Sequence, residues 1–424
     1  MNKKTGYIAS LLAVFTVNLL YAQTIYETKV YSNQLKSLRI EVLGELISEP
    51  FIALNGDKML EVNFDVLNHT QGRYAYSITH CDADWTKSNL APIEYMDGFQ
   101  QMTIDDYAQS IATITPYTNF RLLLPNDNIR FKVSGNYVIE VYEEGIPDKR
   151  LFSARFGVYE PLVGIDVTVS SQTDVAFNQG YQQVGFQLNT QKLPIAFPQT
   201  ELKIFVSQNN RLDNIATNLQ PSLIVNNRLT YEHIRNLIFE AGNEYRRIEF
   251  LDNRYNGMGI KQIQYFNPYY HAEVMTDQNR ARLSYQYDQD QNGRFFIRCL
   301  NCQDPDIESD YFIVHFSLAS PMLVGENLYL LGDFLQNRID ESSRMDYNRE
   351  TGQYEKAVLL KQGHYNYQYL GIPDGETRGN LATTEGNFFQ TENEYTIVVY
   401  YRPMGGRFDR LIGKTTIRNT QNIL

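Results

Sequence analysis

The sequence contains little cysteine and tryptophan, and no long apolar run follows its first 22 residues. Only three cysteines and one tryptophan occur in 424 residues. Three cysteines form at most one internal bridge, which excludes a disulfide framework as the basis of the fold. After residue 22 no apolar stretch reaches the roughly 20 residues of a membrane-spanning helix, so we expect no direct membrane insertion. Acidic residues outnumber basic ones, 49 to 38, which disfavours nucleic acid as a partner.

Residues 1–22 have the pattern of a secretory signal peptide. Lys3 and Lys4 form a short basic segment, an apolar segment follows, and Ala22 is a small residue before the predicted cut. Cleavage would remove these two lysines and change the formal charge from −11 to −13. The predicted cut lies between Ala22 and Gln23, and neither residue is cysteine, so a lipid anchor at the new N-terminus is not expected. We therefore expect an exported, soluble protein.

Alternation of apolar and polar residues with a period of two dominates the remaining chain and predicts β-strands. Strands are predicted at 38–44, 60–67, 74–80, 136–144 and 151–159, among others. Short strands at near-regular spacing, separated by turn residues, indicate an all-β protein of tandem immunoglobulin-like β-sandwich domains. The pattern of residues 229–242 fits neither a helix nor a strand clearly.

We place the domain boundaries where turn residues follow a run of predicted strands. The N-terminal β-sandwich domain is expected at 23–160, since Glu160-Pro161 punctuates the chain there. A central β-sandwich domain is expected at 161–320. A C-terminal immunoglobulin-like domain is expected at 321–424.

Residues 79–90, THCDADWTKSNL, concentrate reactive residue types, namely His80, Cys81, Asp82, Asp84 and Trp85. On a strand, His80, Asp82 and Asp84 would share one face and could bind a metal. Because no second histidine or glutamate motif supplies further ligands, we expect a structural role instead. His80 and the two aspartates are predicted to hold a strand end and its following loop over a buried Trp85. An enzyme that uses this cluster is an alternative hypothesis.

Cys299 and Cys302 are the candidates for a disulfide. A redox-active Cys-x-x-Cys pair needs a helix N-terminus to lower the thiol pKa, whereas this one follows a predicted strand. A zinc site would need a second pair of ligands, and the sequence shows none. A local bridge or two free thiols is therefore favoured over redox chemistry.

Residues 288–293 resemble the start of a calcium-binding loop, with Asp288, Asp290, Asn292 and Gly293 in D-x-D-x-N-G spacing. The twelfth position of such a loop should be glutamate, but it is Cys299 here. Asn-Gly is a strong hairpin turn signal, so we predict a β-hairpin across 281–299 with this turn at its tip.

The sequence shows no motif of an established catalytic class. There is no G-x-S-x-G elbow, no phosphate-binding glycine loop and no His-Glu-x-x-His. We predict a protein that is not an enzyme, has no cofactor or metal, and has no small-molecule substrate.

The last hundred residues resemble the immunoglobulin-like module of starch- and glycogen-handling enzymes. Gly332 and Phe334 match its Gly-x-Phe-Asn-x-Trp motif, whereas Leu335 and Asn337 replace the Asn and the sugar-stacking Trp. A periplasmic or surface glycan-binding protein is therefore a second hypothesis. An outer-membrane barrel is a third, but most predicted strands are shorter than the roughly 9–11 residues that such barrels use.

Taken along its length, the chain resembles the type IX secretion system plug protein family of Bacteroidota. It differs from the family pattern at Tyr245 and Phe408, where Phe and Tyr are expected. The matching stretches, in family order, are HCDADWTKSNLAPIEYMDGF with IDDYAQS, PNDNIRFKVSGNYVIEVY, AGNEYRRIEF, DQDQNGRFFIRC, LKQGHYNYQYLG, EGNFFQTENEYTIVVYYRP and GGRFDRLIG.

This resemblance implies a periplasmic protein of immunoglobulin-like β domains, associated with the inner face of the outer membrane. It implies a large outer-membrane β-barrel translocon of the SprA type as the partner. The protein would fill or cover the pore while no cargo is in transit. The family supplies no catalytic residues. Aromatic residues of 266–271 and 400–403 are candidate anchors for such an interface, with ordinary aromatic packing as the alternative.

Overall fold

The computed structural model describes residues 24–69 and 72–419, so the predicted signal peptide lies outside the described residues. Within these ranges the chain is almost entirely β, and each α-helix is only four residues long. This confirms the all-β prediction. No helix in the described residues has the length and apolar character needed to cross a membrane.

The first unit consists of residues 24–160, folded as two larger sheets that face each other and a separate two-stranded sheet formed by Met96–Asp97 and Arg130–Phe131. Its elements are β1 Lys29–Val30, β2 Leu35–Val42, β3 Phe51–Ala53, β4 Leu60–Leu67, β5 Tyr74–Cys81, α1 Pro92–Tyr95, β6 Met96–Asp97, β7 Met102–Thr103, β8 Asp106–Gln109, β9 Tyr117–Leu124, β10 Arg130–Phe131, β11 Gly135–Glu143 and β12 Ile146–Tyr159. One sheet has the order β1-β12-β11-β5-β7, with β3 beside β12, and the other has β2-β4-β9-β8. Phe64 of the second sheet packs against Phe152 of the first, with ring centroids 5.0 Å apart.

The second unit begins at residue 161 and is completed by the last strands of the chain. Its elements are β13 Gly164–Ser170, β14 Tyr181–Asn189, α2 Pro198–Glu201, β15 Leu202–Gln208, β16 Leu223–Val225, β17 Arg228–Tyr231, a 3₁₀ helix Arg235–Leu237 and β18 Ile238–Glu240. The segment 229–242, which the sequence left undecided, thus contains two short strands around one helical turn.

The inserted unit, residues 244–391, lies in sequence between these parts of the second unit. Its elements are β19 Arg246–Phe250, β20 Ile260–Phe266, β21 Tyr269–Val274, β22 Asp277–Gln278, β23 Phe295–Ile297, α3 Pro305–Glu308, β24 Tyr311–Ala319, β25 Glu326–Leu331, a 3₁₀ helix Asp333–Leu335, β26 Asp346–Asn348, β27 Gln353–Lys361 and β28 Gly363–Pro373. Strands β29 Glu394–Tyr401 and β30 Arg410–Arg418 follow and belong to the second unit.

The predicted boundary between residues 320 and 321 divides one packed unit and is wrong. Strand β24, before the boundary, pairs along its nine residues with β27, after it. Strand β29 instead pairs with β15, and β30 with β29, so the chain end shares a core with residues 163–239. Local alternation predicts that a strand exists but carries no information about its partner, which explains the error.

The predicted hairpin across 281–299 is also wrong. The Asn292-Gly293 turn is present, with both φ angles positive. Residues 281–291, directly before the turn, form no strand, and β23, directly after it, pairs with β28 instead. The preceding segment is held by side chains instead, because the buried Asp290 carboxylate accepts hydrogen bonds from Tyr245 N and Asn292 N.

A buried ion pair joins the first unit to the inserted unit. Lys361 Nζ of β27 lies 2.7 Å from Asp65 Oδ2 of β4, and both side chains are at most 1% exposed. The same carboxylate accepts a hydrogen bond from Tyr311 Oη at 2.6 Å, and Lys361 Nζ lies 4.1 Å from the centroid of the Tyr117 ring. Removing two charges from water costs free energy, which is offset only when each charge is paired and hydrogen-bonded as it is here. This requirement restricts how the two units can be positioned relative to each other.

We expect Lys361→Met to destabilise the protein by about 3 kcal/mol, because it leaves the Asp65 charge buried without its cation. Urea unfolding followed by tryptophan fluorescence would measure the change. The matched control is Lys58→Met, which removes an exposed lysine paired with Glu45 and should leave the unfolding midpoint unchanged. Equal midpoints for both variants would contradict the structural role of the pair.

Candidate interaction surface

His80, at the end of β5, is fully buried and engaged by its neighbours. Its Nε2 donates to Ser134 O at 3.3 Å, so in the neutral ring Nδ1 accepts from Ser88 Oγ at 2.8 Å. Burial lowers the pKa of His80 to about 4. A Cβ on Gly135 would lie 2.3 Å from Nε2, so the glycine leaves the space that the ring occupies. His80 therefore joins the loop after β5, through Ser88, to the segment before β11, through Ser134.

Asp82 and Asp409 join this loop to the turn between β29 and β30. The fully buried Asp409 carboxylate accepts hydrogen bonds from Ala83 N at 2.9 Å, Lys203 Nζ at 2.9 Å and Arg402 Nε at 2.8 Å. Asp82 Oδ1 in turn accepts from Asp409 N at 3.0 Å and lies 2.7 Å from Arg402 Nη2. Two segments more than 300 residues apart in sequence are thus connected by charged hydrogen bonds.

Asp84 and Trp85 have local roles. Asp84 Oδ1 accepts hydrogen bonds from Thr86 N at 3.1 Å and Thr86 Oγ1 at 2.6 Å, as expected for an aspartate in a turn. Trp85 was expected to be buried but is only half-buried, and its backbone has a left-handed conformation (φ 64°) in the turn that follows β5. The Arg155 guanidinium lies 4.5 Å from the centroid of the Trp85 ring and partly covers it.

The remaining candidate residues are also taken up by the fold. Asp288 forms an ion pair with Arg247, and Asp290 caps backbone amides as described above. Cys299 and Cys302 form a disulfide, while Cys81 is buried and burial raises the pKa of its thiol to about 12. Within residues 24–69 and 72–419 no group of three or more His, Cys, Asp or Glu side chains is arranged to hold a metal.

The residues that align with the glycan-binding motif are buried rather than displayed. Phe334 packs between Phe316 and Tyr365, and Leu335 is in the same core. Asn337 is 2% exposed and hydrogen bonds to Asp333. These positions therefore present no aromatic surface on which a sugar ring could stack.

The two aromatic segments proposed as anchors differ in exposure. Tyr400 and Tyr401 are buried in strand β29 and belong to the cores. The β20–β21 hairpin does expose rings at its tip, where Tyr265 and Phe266 are 49% and 57% exposed. Tyr265 packs against Tyr270, and this ring stacks on the core, so the hairpin is supported from within.

On the solvent side of the Asp82–Asp409 network, loops of the first unit meet the turn of the C-terminal hairpin. Arg407 donates to both carboxylate oxygens of Glu94, at 2.7 and 3.0 Å, and to Asn89 O at 2.8 Å. We call the exposed part of segments 87–101 and 402–408 the junction surface. The sequence did not reveal it, because its two parts carry no local signal that they meet.

The structure defines an all-β protein in which the charged residues of the candidate site bind other segments of the same chain. Residues 35–160 match the family model for the type 9 secretion system plug protein 1st domain. This match confirms the resemblance to the type IX secretion system plug protein family found in the sequence and supports a role connected with type 9 secretion.

A solved structure of a hypothetical protein from Parabacteroides merdae is similar over nearly the whole chain. The two are 58% identical, the match covers 94% of this chain and 100% of that one, and the TM-score is 0.93. No curated protein matches the chain.

The low pKa of His80 predicts that its ring stays neutral at about pH 5.5, where a histidine with an ordinary pKa is mostly protonated. Since the folded pKa lies below the unfolded value of 6.5, the stability contributed by neutral His80 is complete above pH 6.5 and declines as the pH falls towards 4. Histidine NMR signals across this range would measure the titration.

His233 provides an internal control for that measurement. It is exposed, and its hydrogen bond with Asp174 raises its pKa, so it should be protonated at the same pH. A titration midpoint above about pH 6 for His80 would show that its ring is not held in the neutral form.

Proposed function

We propose that this protein binds the periplasmic opening of the type IX secretion outer-membrane translocon and closes the pore while no cargo is in transit. The observation that carries this proposal is the match of residues 35–160 to the first domain of the plug protein family. The proposed partner is the large SprA-type β-barrel, and the proposed location is the periplasm, at the inner face of the outer membrane. The signal-peptide pattern of residues 1–22 supports export.

The way the units interlock supports a role in blocking a pore. The first unit contacts the inserted unit through Lys361 and Asp65, and the second unit through Ala83 and Asp409. The second and inserted units also contact each other, since Gly379 N donates to Asp213 Oδ2 at 3.0 Å. Each unit is therefore held by the other two. A body fixed in this way keeps its shape, and steric closure of a pore depends on shape.

The chemistry of the buried polar groups supports a role without catalysis. His80 and Asp409 have their hydrogen-bonding atoms occupied by neighbouring groups of the protein. A catalytic acid or base instead needs access to a substrate proton within hydrogen-bonding distance. We therefore propose a protein that acts through binding and occlusion rather than by catalysing a reaction.

Affinity purification tests the binding. The full-length chain with a C-terminal tag, expressed from its own locus, should retain the giant translocon barrel when native outer membranes are solubilised in mild detergent. An unrelated exported protein with the same tag serves as the control. If the barrel is absent from the eluate of the tagged chain, or equally abundant in both eluates, the chain does not bind the translocon.

Deletion of the gene tests the sealing role. Cells without the protein should become more permeable to antibiotics that are normally too large to cross the outer membrane, while secretion through the system continues. Susceptibility is compared with the parent strain and with a strain that carries a restored copy. Unchanged permeability in the deletion strain would argue against a seal.

A further inference from the structure

An open pocket of about 690 Å³ lies where the second unit meets a loop of the inserted unit. Arg235 and Ile238 of the second unit line this pocket, and Arg378, from the loop after β28, lines it from the inserted unit. Its volume is within the range of pockets that bind ligands.

The pocket is cationic although the protein as a whole is acidic. Arg235 and Arg378 line it, and none of its other lining residues is acidic. Among the residues that the structure describes, neither guanidinium is paired with a carboxylate. The acids next to the pocket in sequence are already paired, Asp174 with a histidine and Asp213 with a buried arginine. Two unpaired cations in a chain with a formal charge of −11 indicate a site for an anionic group.

The segments that carry the two arginines are held in place by hydrogen bonds. The fully buried Asp213 carboxylate accepts one from Gly379 N at 3.0 Å, directly after Arg378. The side chain of Asn236, directly after Arg235, donates to a backbone carbonyl of the neighbouring loop at 3.4 Å. A site that is fixed before binding loses little conformational entropy when a ligand enters.

Apolar and amide side chains complete the pocket. Val175, Tyr181 and Ile215 line it and are 56%, 36% and 37% exposed. Gln179 adds an exposed amide. Asn214 also lines the pocket and is only 7% exposed, and its Oδ1 has no hydrogen-bond partner in the described part of the chain. A buried acceptor without a donor costs free energy, which an N–H group of a bound molecule would offset.

Together these features match the carboxyl end of a polypeptide. Guanidinium groups bind planar carboxylates through paired hydrogen bonds. Amide side chains both donate and accept, as peptide units do, and the apolar wall suits an apolar side chain. A fully ionised phosphate would also bind the arginines, but it has no donor for Asn214 Oδ1 and no group for the apolar wall.

We propose that this pocket binds the carboxyl end of a polypeptide chain whose last residue is apolar. The terminal carboxylate pairs with Arg235 and Arg378. The last side chain packs against Val175, Tyr181 and Ile215. This activity goes beyond the proposed closure of the pore and does not depend on it.

Fluorescence anisotropy with the purified full-length protein tests the inference. The probe is the pentapeptide Gly-Ser-Gly-Ala-Leu with fluorescein at its N-terminus and a free terminal carboxylate. The matched probe carries a terminal amide instead. We expect the amide to bind about tenfold more weakly or worse, because it cannot form charged hydrogen bonds with the two guanidinium groups. Equal binding of the two probes, or no binding of the acid, overturns the inference.

Two double variants locate the site. The pocket variant carries Arg235→Met and Arg378→Met, and the control variant carries Arg130→Met and Arg349→Met. All four arginines are exposed and form no ion pair within the described residues, so both variants lose the same charge and should fold. Circular dichroism with thermal unfolding would verify their folding.

We expect the pocket variant to bind the acid probe about tenfold more weakly or worse, and the control variant to bind it as the wild-type protein does. An equal loss in both variants overturns the inference, since the effect would then come from net charge. Inorganic phosphate serves as a competitor. If it displaces the probe as effectively as the unlabelled peptide acid does, the pocket is a phosphate site and the inference fails.

Discussion

The carboxylate of Asp409 is the contact on which the arrangement of this molecule depends. It accepts hydrogen bonds from a backbone amide of the first unit and from Lys203 and Arg402 of the second. A buried carboxylate is stable only when cations and amides surround it, so all three segments must be in place together. Because Asp409 lies in the turn between the last two strands, the end of the chain holds the first unit in position.

The same principle operates at the other contacts between units. Lys361 and Asp65 join the first unit to the inserted unit, and Glu49 of the first unit pairs with Lys414 of strand β30 at 2.6 Å. Replacing a buried ion pair with apolar residues can be neutral for stability, so its distinctive effect here is geometric. Charged hydrogen bonds are directional and favour one arrangement of the units, as the proposed pore-blocking role requires.

The segment around His80 shows how far residue identity predicts function. Histidine, cysteine and two aspartates within five positions are compatible with a metal site, and only the absence of further ligand motifs argued for architecture. In the structure His80 forms a hydrogen bond within the first unit, whereas Asp82 accepts one from Asp409 in the turn between β29 and β30. The sequence did not suggest that the partner of this segment would be residues 402–409, because a loop gives no indication of what it will contact 300 residues away.

The sequence by itself determined many of the strands, the all-β class and the resemblance to the family, because alternation and motif order are local properties of the chain. It did not determine which strands pair. Residues 321–424 were predicted as one domain, but β29 pairs with β15 of the second unit, and β30 pairs with β29. Strand β24, before the predicted boundary, pairs with β27, after it. Pairing depends on which exposed strand edges and apolar faces meet in three dimensions. Only the tertiary structure therefore decided that the chain end completes the second unit and forms the junction surface with the first.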